Sequence, residues 1–384
     1  MTIKAVHVSS VHPAGDPRIT VKECGALAAA GYDVVFVCPH DRDDTVNGVR
    51  IRAIPKRRGR ALRFVRATFD AWRAAVSERG DVYHLHDPEL LPVGLLLRLT
   101  GAKVIYDAHE DLPRQMLAKP WIPSGLRRAL SAGAEVVEGA LSLGMNGIVA
   151  ATPRIADRFR SRRAALVQNF AMAEELAVAD VKPYRERPAT FIYVGGIAEI
   201  RGVREMIEAI GRLPANMGAR LSLAGLLSHD SLRDELEQAG GWERVDYHGW
   251  QTRRQIAARL HEARAGLLLL HPTVNYLESY PVKAFEYMSA GLPMIVSDFP
   301  LWRELFGDVG CALFVNPLDA EAIATAMRWV LEHPSEAEAM GVKGRAAVRA
   351  RFNWQAEASK LLKFYELLVL GSNIPAVRAR FGDA

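Results

Sequence analysis

The sequence predicts an α/β protein of two doubly wound domains, and three observations carry that prediction. Short β-branched runs recur, each followed by a longer amphipathic segment. The runs are apolar at nearly every position rather than at alternate ones, as parallel strands covered on both faces are. The pattern then restarts after a charged, Pro-containing stretch at 180–188, so the 384 residues read as two domains, 1–180 and 181–353, with a last segment 354–384.

In the first half, strands are expected at 3–8, 34–37, 82–85, 103–106 and 147–150. Each is bounded by Gly, Asp or Ser, as at Ser9-Ser10, Gly31, Gly80-Asp81 and Gly101. Helical periodicity falls between them at 20–30, 62–78, 89–100 and 126–143. In the second half a strand at 190–194 runs into Gly195-Gly196, and others follow at 221–223, 245–247, 266–270 and 294–296. Pro281 suits the first turn of a helix, and Gly291 followed by Pro293 marks its end, which places a short helix at 282–290. Longer helices are expected at 320–332 and 354–370.

Composition narrows the class. With 49% hydrophobic and 24% charged residues the chain is not disordered, collagenous or low in complexity. Cys24, Cys38 and Cys311 are too few and too scattered for a disulfide framework or a structural zinc site, which suits a reducing cytosol. No signal peptide is visible, and no apolar run approaches the roughly 20 residues of a spanning helix. Residues 1–180 hold 25 Lys+Arg against 20 Asp+Glu, whereas the rest is neutral. Eight cations from Arg50 to Arg66 have no acid between them. They read either as a patch for an anionic partner or as a solvated basic loop and helix face. The lone Gly15 of the first loop makes no dinucleotide fingerprint, which argues against a nicotinamide enzyme.

Residues 278–298 carry the chemistry: Glu278-Ser279-Tyr280-Pro281-Val282-Lys283 leads into Ala284-Phe285-Glu286, and Gly291-Leu292-Pro293 closes the helix. A helix start offers backbone N–H groups and partial positive charge to a diphosphate. Lys283 sits in that first turn, where the dipole disfavours a cation, and a bound anion would explain it. Glu286 can accept two hydrogen bonds from vicinal hydroxyls such as those of a ribose, and Glu278 can reach hydroxyls of an attached sugar. Two carboxylates on one short segment share one side of a substrate, which disfavours a hydrolase.

The string resembles the Glu-x7-Glu motif of retaining glycosyltransferase family 4, whose GT-B fold is two Rossmann-like domains facing across a cleft. Tyr193-Val194-Gly195-Gly196 with Arg201-Gly202 resembles the family's Gly-rich turn, and Asp246-Tyr247-His248-Gly249 the strand before its nucleobase loop. His12-Pro13, Asp16-Pro17-Arg18, Lys22-Glu23, Asp81–Asp87 and Tyr106–Glu110 resemble a branch that assembles bacterial surface polysaccharide and lipopolysaccharide. The resemblance implies that Glu286 binds ribose, Glu278 the transferred sugar, and Arg201 with Lys283 the diphosphate. It also implies donor contacts from Gly195, Gly196, Tyr280, Pro281 and Val282. It sets His109 beside the reacting sugar, so that His109 and Glu278 are the candidate catalytic pair. Gly15, Asp16, His86 and Asp87 would lie on the acceptor side, and the helix at 354–370 would cross back to the first domain. Gly196 departs from the family, in which Arg often follows the first Gly.

The implied activity is transfer of a sugar from a UDP- or GDP-sugar to a glycan or a polyprenyl-diphosphate-linked acceptor, with no metal and no nucleic acid. Asp41-Arg42-Asp43 is the chain's only Asp-x-Asp and lies far in sequence from the donor segment, so it is read as solvated surface. A sugar-nucleotide 2-epimerase and an inactive scaffold subunit are the alternatives. Apolar Met116, Leu117, Trp121, Ile122 and Leu126 alternate with Arg114, Lys119, Arg127 and Arg128. That mixture suits a cytoplasmic enzyme resting on the inner face of an anionic membrane.

Overall fold

A computed structural model describes residues 2–57, 60–118, 122–159, 164–172, 176 and 182–370. The chain forms two compact units. One runs to Asn169 and includes the helix Trp354–Val369; the other is Phe170–Asn353.

The first unit holds strands β1 (Lys4–Val8), β2 (Asp33–Pro39), β3 (Asp44–Val46), β4 (Val49–Ile54), β5 (Val82–Leu85), β6 (Lys103–Ala108), β7 (Gly147–Ala150) and β8 (Ala164–Leu166). They form one sheet in the order β3-β4-β2-β1-β5-β6-β7-β8. Only the β3–β4 pair is antiparallel. The second unit holds β9 (Thr190–Val194), β10 (Arg220–Ala224), β11 (Val245–Tyr247), β12 (Ala265–Leu268), β13 (Met294–Ser297) and β14 (Ala312–Val315). These are ordered β11-β10-β9-β12-β13-β14 and all run parallel. Successive residues of β9 feed opposite cores. Phe191 and Tyr193 pack with Leu267 and Ile295 on one face, while Ile192 and Val194 pack with Leu268 and Val296 on the other. The uniformly apolar strands are therefore covered on both sides.

Four strands and one boundary depart from the sequence reading. The cationic stretch opens as strand β4, not as a loop, with Val49, Ile51 and Ile54 buried and Arg50 and Arg52 exposed. Asn47 and Gly48, at φ 51° and 79°, make the two-residue turn that folds β3 onto it. Strands β8 and β14 were not expected. The division between units falls at 169/170 rather than at 180/181, because Phe170 packs on Phe285 and Phe352 at ring-centroid distances of 4.9 and 5.4 Å. Residues 180 and 181 lie outside the described ones.

Four cations of the basic stretch are paired with acids. Arg50 pairs with Asp33 at 2.9 Å, Lys56 with Asp41 at 2.7 Å, Arg57 with Asp70 at 2.8 Å, and Arg52 with Asp43. Arg58 and the side chains of Arg60 and Arg63 lie outside the described residues. The helix expected at 126–143 is Ser124–Ser142, and a shorter helix, Leu112–Ala118, precedes it; Lys119 and Trp121 are not described. Among the described residues no helix is long and apolar enough to cross a membrane.

Candidate functional site

In an open parallel sheet, ligands bind beyond the carboxyl ends of the strands where the strand order reverses. In the second unit that point lies between β9 and β12, and the donor candidates gather there. β9 and β12 pair only at Phe191–Ala265 and Ile192–Gly266, then separate. Tyr287 fills the gap: its hydroxyl accepts from Val194 N at 3.1 Å and donates to Leu267 O at 3.2 Å. A Cβ on Gly266 would lie 2.4 Å from the Tyr287 ring, so glycine is required beneath it. Tyr287 belongs to the helix Val282–Ser289, and this wedge locks that helix to the switch point.

The loop after β9 is set by glycines. Gly195 has φ 143°, and its carbonyl leaves no room for a Cβ on Gly225, which would lie 1.8 Å away. The Tyr193 hydroxyl donates to Gly196 O at 2.9 Å and accepts from Arg201 Nη1 at 3.5 Å, which places the guanidinium over the Gly195-Gly196 turn. Gly202, at φ 71°, starts the following helix Val203–Arg212; a Cβ there would meet Leu269 O at 2.0 Å. The two loops are also tied by His271, whose N donates to Ile200 O at 3.0 Å and whose Nε2 lies 2.9 Å from Glu205 Oε1.

Glu278 ends the short helix Val274–Leu277, and Tyr280 packs on the apolar core beside it. Pro281 is the residue that caps the helix rather than a member of its first turn. Glu286 is buried at 5% exposure. Its Oε1 accepts from Arg253 Nη1 at 2.9 Å and its Oε2 from Lys283 Nζ at 2.8 Å. Burial disfavours its charge, but Lys283 and Arg253 outweigh that and hold the carboxyl below its ordinary range. The cation in the first turn is thus explained within the helix by its i,i+3 partner, without a bound anion. Arg253 lies 33 residues before its partner in a Thr-Arg-Arg-Gln capping box, and no local signal singled it out.

The remaining candidates belong to the first unit, at the ends of β1, β5 and β6. Asp16 caps the helical turn Pro17–Cys24 by accepting from the backbone N of Arg18 and Ile19, both at 2.9 Å. It is also 3.0 Å from His12 Nδ1; burial opposes its charge, yet these bonds bring its carboxyl down to about 2. Gly15 is exposed and a Cβ there would meet nothing, so the fold does not demand glycine.

His86 and Asp87 do not present themselves to a ligand. His86 is 1% exposed, with Nδ1 3.1 Å from Asp107 Oδ2 and Nε2 2.8 Å from His7 Nδ1. Asp87 is turned inward to accept from Ser9 Oγ at 2.8 Å and Ser10 N at 2.7 Å. The reason is that both follow a strand in the middle of the sheet. His109 Nε2 meets His12 Nε2 at 3.1 Å, and its Nδ1 faces Asp107 Oδ2 at 3.7 Å. Burial lowers its affinity for a proton, whereas the Asp16 bond raises that of His12 against burial. His12 thus faces Asp16 through Nδ1 and His109 through Nε2, and His109 Nε2 is engaged by His12. At the centre, Arg18 donates from Nε and Nη2 to Asp107 at 3.2 and 3.0 Å.

Comparison with known proteins bears on both units. Residues 18–169 match the family described as "Glycosyl transferase 4-like domain", and residues 178–347 match "Glycosyl transferases group 1". A glycogen synthase of Mycobacterium tuberculosis is 24% identical, over 92% of this chain and 91% of the relative. A GDP-mannose:cellobiosyl-diphosphopolyprenol alpha-mannosyltransferase of Xanthomonas oryzae pv. oryzae is 24% identical, over 94% of this chain and 96% of the relative. The solved structure of sucrose-phosphate synthase from Thermosynechococcus elongatus shares the fold with a TM-score of 0.77, at 20% identity, covering 97% of this chain and all of that one.

Proposed function

The chain belongs to the family 4 glycosyltransferases of the GT-B fold. On that premise we propose that it is a retaining, metal-independent hexosyltransferase moving a sugar from a UDP- or GDP-sugar to a saccharide or lipid-linked acceptor of a cell-surface polysaccharide. The observation that carries the reading is the buried, ionised Glu286, fixed by Lys283 and Arg253 beside the switch point of the second unit. Each carboxylate oxygen has one lone pair left after those bonds, and vicinal ribose hydroxyls are the donors that suit two such acceptors.

Breaking the sugar–phosphate bond puts negative charge on the departing diphosphate. Arg201 over the Gly195-Gly196 turn and the start of the helix Val282–Ser289 stabilise that charge electrostatically. Lys283 contributes to the same end while it orients Glu286. Glu278, Tyr280, Pro281 and Val282 line the approach to that helix, and Glu278 receives hydroxyls of the transferred sugar. The acceptor oxygen attacks from the side of the leaving group, and the departing phosphate takes its proton. The His12–His109 pair, with Asp16 and Gly15, forms the acceptor end, with His86 and Asp87 acting through the buried groups they hold. Asp41 and Asp43 are already paired with Lys56 and Arg52, which fits a reaction without a metal at an Asp-x-Asp. A lipid-linked acceptor agrees with the name of the Xanthomonas relative.

UDP and GDP titrated calorimetrically into the protein in freshly added excess chelator test the donor site. One of them binds, and Glu286→Ala weakens it at least tenfold, about 1.4 kcal/mol. An unchanged affinity in the variant removes the assignment.

Peripheral membrane association rests on the helix Ser124–Ser142, where Leu126, Leu130, Val136 and Val137 stand exposed, with Leu143 exposed just after it. Arg127 and Arg128 lie in its first turns. Such a surface inserts into a headgroup layer. The protein floats with anionic vesicles at low salt, and Leu130→Glu with Val137→Glu abolishes flotation; a wild type left in the pellet refutes the membrane reading.

A further inference from the structure

Three imidazoles share one face of the first sheet at its own switch point. His7 on β1 is the register partner of His84 on β5, and His86 follows His84 by two residues. Their ring centroids lie 4.6, 5.1 and 4.9 Å apart. Glu23, from the helical turn Pro17–Cys24, closes the set, and all four side chains are buried at 1% exposure or less.

We infer that His7, Glu23, His84 and His86 form a closed site for a divalent transition-metal ion of the zinc class. One ligand atom from each residue lies within 4.8 Å of all the others. Three nitrogens and one carboxylate oxygen are the donors of zinc or cobalt, whereas magnesium and calcium demand oxygen. A second observation points the same way. Among the described residues, His84 Nε2 and both carboxylate oxygens of Glu23 have no hydrogen-bond partner although they are buried. Groups left so cost about 1–3 kcal/mol each, more when charged, and one ion would satisfy His84 Nε2 and one Glu23 oxygen together. The Arg18 guanidinium does come within 3.1 Å of Glu23 Oε1, but it is already committed to Asp107.

The outer partners suit metal ligation. His86 has Asp107 Oδ2 3.1 Å from its Nδ1, and His84 has the Tyr365 hydroxyl 2.8 Å from its Nδ1. This leaves Nε2 of both rings directed inward, as in carboxylate–histidine–metal arrangements. Bonds of about 2.0–2.1 Å to a tetrahedral ion set its ligands about 3.3 Å apart. The His7–His86 contact of 2.8 Å therefore opens by about half an ångström while the wider pairs close. With four protein ligands and no open position, the ion has a structural role, tying Pro17–Cys24 to the sheet. A competing triad, His86, Asp107 and His109, is weaker because Asp107 already accepts two bonds from Arg18. The donor reading is independent of this site.

The test uses the full chain, freed of any affinity tag and grown with added zinc. Elemental analysis finds about one zinc per chain. Glu23→Gln and His84→Gln reduce it to background, whereas Glu286→Ala and His109→Gln leave it in place. Because buried variants can fail to fold, wild type stripped by a chelator is titrated with Co2+. The visible bands of tetrahedral cobalt appear, and Tm rises by about 5 °C. A wild type without bound metal that gives neither the bands nor the shift overturns the site. So does zinc that follows His109 instead of Glu23.

Discussion

The two sheets share a parallel core ordered 3-2-1-4-5-6, yet their switch points are filled with opposite chemistry. Between β1 and β5 the first unit buries imidazoles and charges: His7, His84 and His86 with Arg18, Glu23 and Asp107. Between β9 and β12 the second unit inserts a single phenol, Tyr287, beside glycines, and keeps one ionised carboxyl at the rim. The backbone frame fixes where a site can stand but not what it holds. A buried polar network rigidifies a unit only when every member is satisfied, which in the first unit turns on Glu23 and His84. A glycine-lined turn leaves backbone groups able to meet a ligand closely.

The contrast is open to direct attack. The largest effect is expected in the first unit. Asp107→Asn strips Arg18 of its buried counter-charge, and urea unfolding should show a loss of about 3–5 kcal/mol. A loss below about 1 kcal/mol would mean that the network is hydrated. In the second unit the sensitive element is backbone. Gly202→Ala forces a Cβ onto Leu269 O at an unfavourable positive φ, and about 2–3 kcal/mol should disappear in the same assay. Acid sharpens the comparison least. Asp16 lies at about 2 in the folded chain and near 3.9 when unfolded. Its stabilisation is full above the unfolded value and lost as pH falls through the folded one. The stability difference between wild type and Asp16→Asn should therefore be largest near about pH 5, shrink between about pH 4 and 2, and decline again as rising pH removes the His12 proton that Asp16 helps to hold.

The grouping of the candidates in the second unit was legible because it is local. Lys283 and Glu286 occupy one short helix that Pro281 caps, and Gly195, Gly196 and Arg201 lie around one turn, so spacing alone groups them. Arg253 and Tyr287 were not, since the first reaches Glu286 from a distant helix and the second acts through a hydroxyl aimed at two strands. The β3–β4 hairpin was legible and passed over. Asn47-Gly48 between alternating residues is a strong turn signal, but the run of cations hid the period-2 pattern of Val49–Ile54. The burial of His86 and Asp87 was not legible, because a position after a strand does not tell whether that strand lies in mid-sheet.

Sequence alone determined the doubly wound class, most strand positions and the helix that carries Glu286, because apolar runs, glycines and prolines act on their own neighbours. Tertiary structure decided which charges face water, which pair, and which nitrogen of each histidine is engaged. Those outcomes depend on residues brought together from across the chain, as Arg18 and Asp107 are, and on a desolvation cost that exists only once they are packed.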